Sequence, residues 1–360
     1  MSQPAKEPAL FKKSRIYLVL LICIGLSGFI VFRETQKANF SVDNISWTGW
    51  TFFCLFLGLI MMVGRDFFYM VRLKMLAPDK LTWRQTLNVI LLWEFASALS
   101  PGVVGGTAVA MFILKREGIN LGKSTAMVML TAIFDNLFYL LLLPCLFIWL
   151  PLDNLFPAGN SWVISSGKWV FWIGYAAVAV FNLIMILSVF FYPVIICRIV
   201  LGIFKIPFLK KHSEKAIRFT NEITYASREV RKKNAFFWVK FFLATGGSWI
   251  CRFLVLNFVL LAFLELGLLE HLILLARQLV MWMILIIPTT PGGAGLAEML
   301  FTDFLADIAG TGTLILTMAF IWRGVSNYLY LIIGSILLPR WLVSTKKAQI
   351  SRESTSEPSK

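Results

Sequence analysis

The chain has 360 residues, of which 58% are hydrophobic and 15% are charged, and its mean hydropathy is +0.78. Soluble domains contain about 25% charged residues, so this composition excludes a soluble globular protein and indicates an integral membrane protein. The formal net charge of +15 would suggest a nucleic-acid partner in a soluble protein. Here we expect no nucleic acid, because the basic residues follow the predicted membrane topology.

Six apolar stretches are long enough to cross a hydrocarbon core of about 30 Å as helices. They are residues 16–32, 47–64, 124–147, 169–196, 235–264 and 311–338. Two further apolar segments, 86–114 and 272–309, are interrupted near their middles and predict pairs of broken or re-entrant helices. The predicted fold is therefore an all-α polytopic membrane protein with about six full transmembrane helices and two broken helix pairs.

The basic residues predict the orientation of these helices. Six crossings leave both termini on one side, and the segments on that side hold 27 of the 34 lysines and arginines. The positive-inside rule therefore places both termini in the cytoplasm and the protein in the cell (inner) membrane.

One transmembrane domain is predicted over residues 1–345. Its halves span about 47–196 and 235–338, and a basic cytoplasmic linker, residues 199–234, joins them. The linker predicts an amphipathic helix on anionic lipid. The polar tail 346–360 is predicted to be disordered.

Both interruptions are proline–glycine clusters. The first extends from Ser100 to Gly106 and the second from Thr290 to Gly295. Proline lacks a backbone donor and glycine favours non-helical backbone, so neither segment predicts one continuous helix. Paired interruptions in the two halves of a transporter point to its substrate site. Because the two broken pairs are predicted to enter from opposite faces, they also predict an inverted repeat.

We expect the substrate to bind at these interruptions. The predicted binding residues there are Ser100, Pro101, Gly102, Gly105, Gly106, Pro291, Gly292, Gly293 and Gly295. Helix N-termini that follow the breaks would attract phosphate. The glycines also suit close helix crossing, and that alternative stays open.

Charged residues inside predicted spans complete the expected site. Arg277 and Arg323, with Arg252 as a secondary candidate, suit bidentate binding of phosphate oxygens. Glu298 is expected to cap its half-helix and to take part in protonation-linked steps. Glu94 and Asp135 are further secondary candidates, and structural ion pairs between them and the arginines are the alternative.

Two sequence blocks carry a family resemblance. The first is Ser100-Pro101-Gly102 with Gly105-Gly106 and Leu114-Lys115-Arg116-Glu117-Gly118-Ile119, and the second is Pro291-Gly292-Gly293-Ala294-Gly295-Leu296-Ala297-Glu298. Together they resemble the lysylphosphatidylglycerol synthase transmembrane region, or flippase-like membrane family, over roughly residues 12–345.

In the two-domain synthases, a soluble aminoacyl-transferase domain follows this region. No such domain follows it here, so the resemblance implies a stand-alone, flippase-like lipid protein. One departure is that Thr131-Ala132-Ile133 stand where many relatives carry a charged pair, just before the aspartate that matches Asp135. Headgroup specificity is therefore not carried over.

No motif predicts a cofactor, a metal or nucleotide hydrolysis, and we do not expect an enzyme. The five cysteines are isolated in apolar runs, and the two histidines are far apart. The expected function is movement of an anionic phospholipid or polyprenyl-phosphate-linked lipid across the membrane. The alternatives are an integral-membrane transferase acting on a lipid-linked substrate and a non-transporting scaffold subunit. Expected partners are anionic membrane lipids, with a separately encoded lipid-modifying enzyme as a candidate.

Overall fold

The computed structural model describes residues 46–100, 103–157, 162–191, 198, 213–286, 290, 292–293, 295–310 and 312–356. Over these ranges the secondary structure is helical, with no strand. The α-helices are α1 Gly49–Leu76, α2 Trp83–Leu99, α3 Val103–Arg116, α4 Leu121–Leu146, α5 Trp162–Ile186, α6 Ser213–Arg231, α7 Ala235–Leu261, α8 Leu268–Leu285, α9 Leu296–Ala309, α10 Thr313–Arg323 and α11 Leu329–Ser356. The predicted span 16–32 and three predicted site residues, Pro101, Gly102 and Pro291, lie outside the described residues.

Six helical segments in the described part of the chain are long and apolar enough to cross a membrane. They are Gly49–Leu76, Leu121–Leu146, Ser166–Phe191, Ala235–Leu261, Leu268–Leu285 and Thr313–Thr345. The all-α polytopic membrane fold is thereby confirmed. One of the six is α8, which the sequence predicts as half of a broken pair. The other broken-pair helices are shorter: α2 is about 26 Å long, and α3 and α9 are each about 21 Å long.

Helix α1 extends twelve residues beyond its predicted end at residue 64, to Leu76. The prediction stopped before Arg65-Asp66 because charges usually mark the edge of a membrane span. Here Arg65 and Arg72, which the topology argument counted as cytoplasmic cations, are buried inside the helix bundle. The opposite face of α1 exposes large apolar side chains, including Phe56 and Val63, as a lipid-facing surface requires.

Buried apolar side chains form two main cores at different levels of the bundle. The first joins α2 and α3 to the first half of α4 and to α11, and the second joins α8, α9 and α10 to the second half of α4. Within α4, Phe134 belongs to the first core and Tyr139 to the second. The membrane helices are thus packed at both levels by ordinary apolar contact.

Local sequence signals fix several helix starts. The Asn120 and Asn234 side chains each accept a hydrogen bond from the third residue of the helix that follows, at 3.0 and 2.9 Å. Thr82 and Gln85 form a capping box at the start of α2. Side-chain oxygens at these positions satisfy amide groups that have no partner within the helix.

The structure extends regular helix further at the C-terminus than the sequence predicts. Helix α11 reaches Ser356, whereas residues 346–360 were predicted to be disordered. The segment Lys346-Lys347-Ala348-Gln349 consists of good helix formers, which allows the preceding helix to continue. In the linker, α6 forms the predicted helix over its described part.

The two interruptions contact each other. The Gly292 amide donates to the Ser100 carbonyl at 3.4 Å, so the end of α2 touches the backbone between α8 and α9. Gly292 has a φ of +61°, which favours glycine, and a Cβ there would lie 2.8 Å from the Ala98 carbonyl oxygen and 2.9 Å from the Asn327 Nδ2 atom. This contact therefore requires glycine for both backbone conformation and space.

We expect Gly292→Ala to destabilise the fold. Backbone strain alone costs about 1–3 kcal/mol, and the steric contacts add to it. Thermal unfolding in detergent should show a lower midpoint for Gly292→Ala and an unchanged or higher one for Gly324→Ala. Gly324 is the matched control because it is helical and a Cβ there meets nothing within 4 Å. Equal midpoints for Gly292→Ala and the wild type would contradict the tight contact.

Candidate functional site

A cavity of about 280 Å³ lies where the two interruptions meet. Residues from α1, α2, α7, α8, the end of α10 and the start of α11 form its walls, together with Gly292, Gly293 and the π-helical turn Gly324–Tyr328. Its polar lining consists of Arg65, Glu94, Ser97, Ser100, Arg252, Gln278, Arg323, Ser326, Asn327 and Tyr330. Among the residues that the structure describes, three arginines and one carboxylate therefore face one small space between helices. The three arginines differ in how completely their charges are neutralised.

Arg65 has a carboxylate partner beside it in α1. Its Nε and NH2 atoms donate to Asp66 Oδ1 at 3.1 and 2.8 Å, and its side chain is only 2% exposed. Tyr330 donates to the second Asp66 oxygen at 2.6 Å and places its ring 4.8 Å from the guanidinium carbon. Arg65 is thus held and neutralised by the protein itself.

Arg323 also forms hydrogen bonds with other groups of the protein. Its Nε donates to Glu298 Oε1 at 3.3 Å, and its NH2 donates to the Gly292 carbonyl at 2.7 Å. Glu298 Oε2 accepts from the Gly295 amide at 2.7 Å, and Tyr328 donates to Glu298 Oε1 at 3.2 Å. Arg323 and Glu298 together fasten the second interruption to α10 and to the first turn of α9.

Glu298 also changes what the N-terminus of α9 can bind. The sequence predicts free amide groups there that attract phosphate. In the structure, the Glu298 carboxylate occupies the Gly295 amide, and the Ala297 amide donates to the Gly293 carbonyl at 3.0 Å. These two amide groups are therefore occupied by the protein itself, and the arginines are the cations that line the cavity.

Arg252 is the least satisfied of the three arginines. Its NH2 atom lies 3.4 Å from the Tyr69 hydroxyl and 3.7 Å from Glu94 Oε2, and its buried Nε has no hydrogen-bond partner among the described residues. Its side chain is 27% exposed, against 8% for Arg323. A poorly paired cation at membrane depth is costly, so such a site favours an incoming anion.

The comparison with known proteins decides the family. The family model described as the lysylphosphatidylglycerol synthase TM region matches residues 16–334. The chain belongs to this family. No curated protein and no solved structure matches it significantly.

Within this member of the lysylphosphatidylglycerol synthase TM family, the predicted site residues fall into two groups. Ser100, Gly292, Gly293, Arg323, Glu94 and Arg252 line the cavity. Gly295, Glu298, Gly105, Gly106, Arg277 and Asp135 do not line it. Glu298 and Gly295 lie behind the cavity wall. Glu298 accepts a hydrogen bond from Arg323, and the Gly295 amide donates to Glu298.

Gly105 and Gly106 serve helix packing. A Cβ at Gly105 would lie 2.4 Å from the Ser100 Cβ, and one at Gly106 would lie 2.2 Å from the Ser97 Oγ. Both glycines therefore let α3 pack directly against the end of α2. This is the close-crossing role that the sequence left as an alternative.

Arg277 and Asp135 are engaged elsewhere. Arg277 pairs with Asp307 through both terminal nitrogens and donates to the Phe304 carbonyl at 2.8 Å. Asp135 accepts from Arg72 at 2.6 Å and from the Trp249 indole at 2.9 Å. Both are ion pairs between helices in which the arginine is buried and the carboxylate is partly exposed, which is the structural role considered for intramembrane charges.

Arg65 is the main cavity residue that sequence reasoning missed. A signal was present, because the buried positions Thr51, Cys54, Gly58 and Met62 continue at helical spacing to residue 65. The adjacent Asp66 also supplies an opposite charge. Asn327 and Gln278 gave no comparable signal, since a single amide side chain in an apolar segment does not indicate a partner.

We expect Arg323 and Glu298 to behave as one stabilising unit. Glu298→Ala and Arg323→Ala should each lower stability, by about 3–5 kcal/mol, because each leaves a buried charge unpaired. The double variant should lose clearly less than the sum of the two losses. Denaturant titration in detergent measures these differences, and strictly additive losses would contradict the coupling.

Proposed function

We propose that this protein moves an anionic lipid between membrane leaflets, with the cavity as the binding site for the lipid headgroup. The observation that carries the proposal is Arg252, an incompletely paired cation between the two interrupted helices. A headgroup phosphate would supply the missing acceptor, in bidentate contact with the guanidinium group. Family membership supports a role connected with membrane lipids.

The dimensions of the cavity support a headgroup as its occupant. A volume of about 280 Å³ lies near the lower end of the range for small-molecule sites. It suits a phosphate with a small polar group, while the acyl chains remain in the bilayer. Apolar residues including Trp282, Leu285 and Trp322 complete the lining and suit the first carbons of a lipid.

The expected topology belongs to the same proposal. We infer that both termini are cytoplasmic, in the cell membrane, and that the two interrupted pairs enter from opposite faces as an inverted repeat. The contact between the interruptions supports this arrangement, since alternating-access transporters bind substrate where two repeats meet.

Labelling of intact cells tests the topology. An impermeant maleimide should label Leu268→Cys from outside and leave Asp79→Cys unlabelled until the membrane is permeabilised, relative to the unsubstituted protein. Both substituted positions are exposed in the structure. The reverse pattern would place the termini outside.

A transferase is the second candidate function. Such an enzyme needs an acid or base in the cavity, and Glu94 is the only carboxylate among the described lining residues. Incubation of the purified protein with labelled lipid-linked donors would reveal group transfer. A scaffold subunit is the third candidate, and transport by the purified protein alone would exclude it.

We expect Arg252→Gln to abolish most lipid movement. Loss of one charged hydrogen-bonding partner costs about 1.5–3 kcal/mol, so the initial rate should fall by about tenfold or more. Arg252→Lys should restore part of the rate, because it keeps the charge but not the bidentate geometry. The assay uses proteoliposomes that contain fluorescent phosphatidylglycerol, with dithionite reduction as the readout.

Lys240→Gln is the matched control for this assay. It removes one positive charge from an exposed position of α7, outside the cavity, and should keep the wild-type rate. Wild-type rates for Arg252→Gln would contradict the headgroup role of Arg252. Absence of movement by the wild-type protein would contradict lipid transport itself.

A further inference from the structure

Each arginine in the cavity can be assigned to a carboxylate. Arg65 forms an ion pair with Asp66, and Arg323 forms one with Glu298. Neither of these two carboxylates lines the cavity. Glu94 does line it, and its two ion contacts in the described part of the chain are with Arg65 and Arg252. Arg65 contacts both Asp66 and Glu94, and Glu94 is the carboxylate that also reaches Arg252.

The contact between Glu94 and Arg252 is loose. The two groups are 3.7 Å apart, which exceeds the usual 2.7–2.9 Å of a charge-assisted hydrogen bond. Glu94 lies closer to Arg65, at 3.2 Å. Both Glu94 and Arg252 are partly exposed to the cavity, at 18% and 27%. Glu94 therefore neutralises Arg252 at a distance without occupying its hydrogen-bonding nitrogens.

We propose that Glu94 is a resident counter-anion, which neutralises Arg252 in the empty cavity and which a lipid phosphate replaces at that arginine. This inference rests on the proposed function, because it assigns Arg252 to the headgroup. When phosphate binds, Arg252 gains a hydrogen-bonded anion and Glu94 retains its contact with Arg65.

The counter-anion has a consequence for affinity. Glu94 and the incoming phosphate carry the same sign of charge and share one cation, so Glu94 opposes phosphate binding. Without this opposition, an uncompensated arginine would hold an anion tightly and release it slowly. Glu94 thus acts as a positioning residue that keeps headgroup binding weak enough for release.

A binding experiment tests this role separately from transport. Dihexanoyl phosphatidylglycerol is titrated into the full-length protein in detergent, and its dissociation constant is measured by calorimetry. We expect Glu94→Gln to tighten binding by about fivefold or more, because it removes the competing charge. Arg252→Gln should weaken binding, and in the double variant Glu94→Gln should no longer tighten it. Loss of the effect in that background identifies Arg252 as the shared cation.

Two controls separate charge from structure. Glu94→Asp keeps the charge but draws the carboxylate back by one methylene, so it should tighten binding less than Glu94→Gln does. Glu229→Gln removes a carboxylate that pairs with Lys123 outside the cavity, and it should leave the dissociation constant unchanged.

Several results would overturn the counter-anion role. Weaker binding by Glu94→Gln, or the same gain with and without Arg252, would show that Glu94 supports the site in another way. No binding by the wild-type protein would remove the site and this role with it. Binding with the expected pattern but no lipid movement in proteoliposomes would contradict the proposed function and leave the counter-anion role intact.

Discussion

The requirement that charge inside a membrane protein be paired shapes this whole bundle. Hydrocarbon offers no partner for a guanidinium or a carboxylate, so the cost of an unpaired charge favours a neighbour of opposite sign. Helix α1 illustrates the consequence, because Arg65 and Arg72 are buried on the side that faces other helices, while Phe56 and Val63 face outward. The pairs Arg72–Asp135 and Arg277–Asp307 then tie separate helices together.

The cavity occurs where this pairing is incomplete. Arg65 contacts Asp66 at 2.8 Å, and Arg323 contacts Glu298 at 3.3 Å and the Gly292 carbonyl at 2.7 Å, so both serve to hold the walls. Among the described residues, Arg252 has polar contacts of 3.4 and 3.7 Å and no hydrogen-bond partner for its Nε, although it lies in the same space. Arginines with close protein partners, such as Arg65 and Arg323, stabilise the bundle. An arginine that is incompletely paired, such as Arg252, can bind an anion. The difference between the arginines thus separates structural charge from functional charge within one polar cluster.

The sequence predicts those features that are set by local chemistry. Proline and glycine interrupt helices through their own backbone properties, so both breaks could be located from the sequence, although α3 already begins at Val103, inside the first predicted cluster. Apolar stretches of sufficient length likewise predicted the all-α membrane fold. The family assignment followed from the residues around the same breaks, and a family model over residues 16–334 confirms it.

Features that depend on distant partners could not be predicted in the same way. Helix α1 was predicted to end before Arg65, and Glu94, which helps to pair Arg65 inside the bundle, lies in another helix. Arg323 was predicted as a phosphate ligand, and in the structure it lines the cavity while its Nε and NH2 atoms donate to Glu298 and to the Gly292 carbonyl. The sequence identified the arginines as candidates, but only the packing of the helices distinguishes Arg252 from the others.

The position of a bound headgroup tests the central claim most directly. The measurement is an experimental structure of the protein in nanodiscs that contain anionic phospholipid. We expect a lipid phosphate in the cavity between the two interruptions, within hydrogen-bond distance of the Arg252 guanidinium group. An empty cavity in which Arg252 pairs closely with Glu94, with lipid bound only on the outer surface of the bundle, would contradict it.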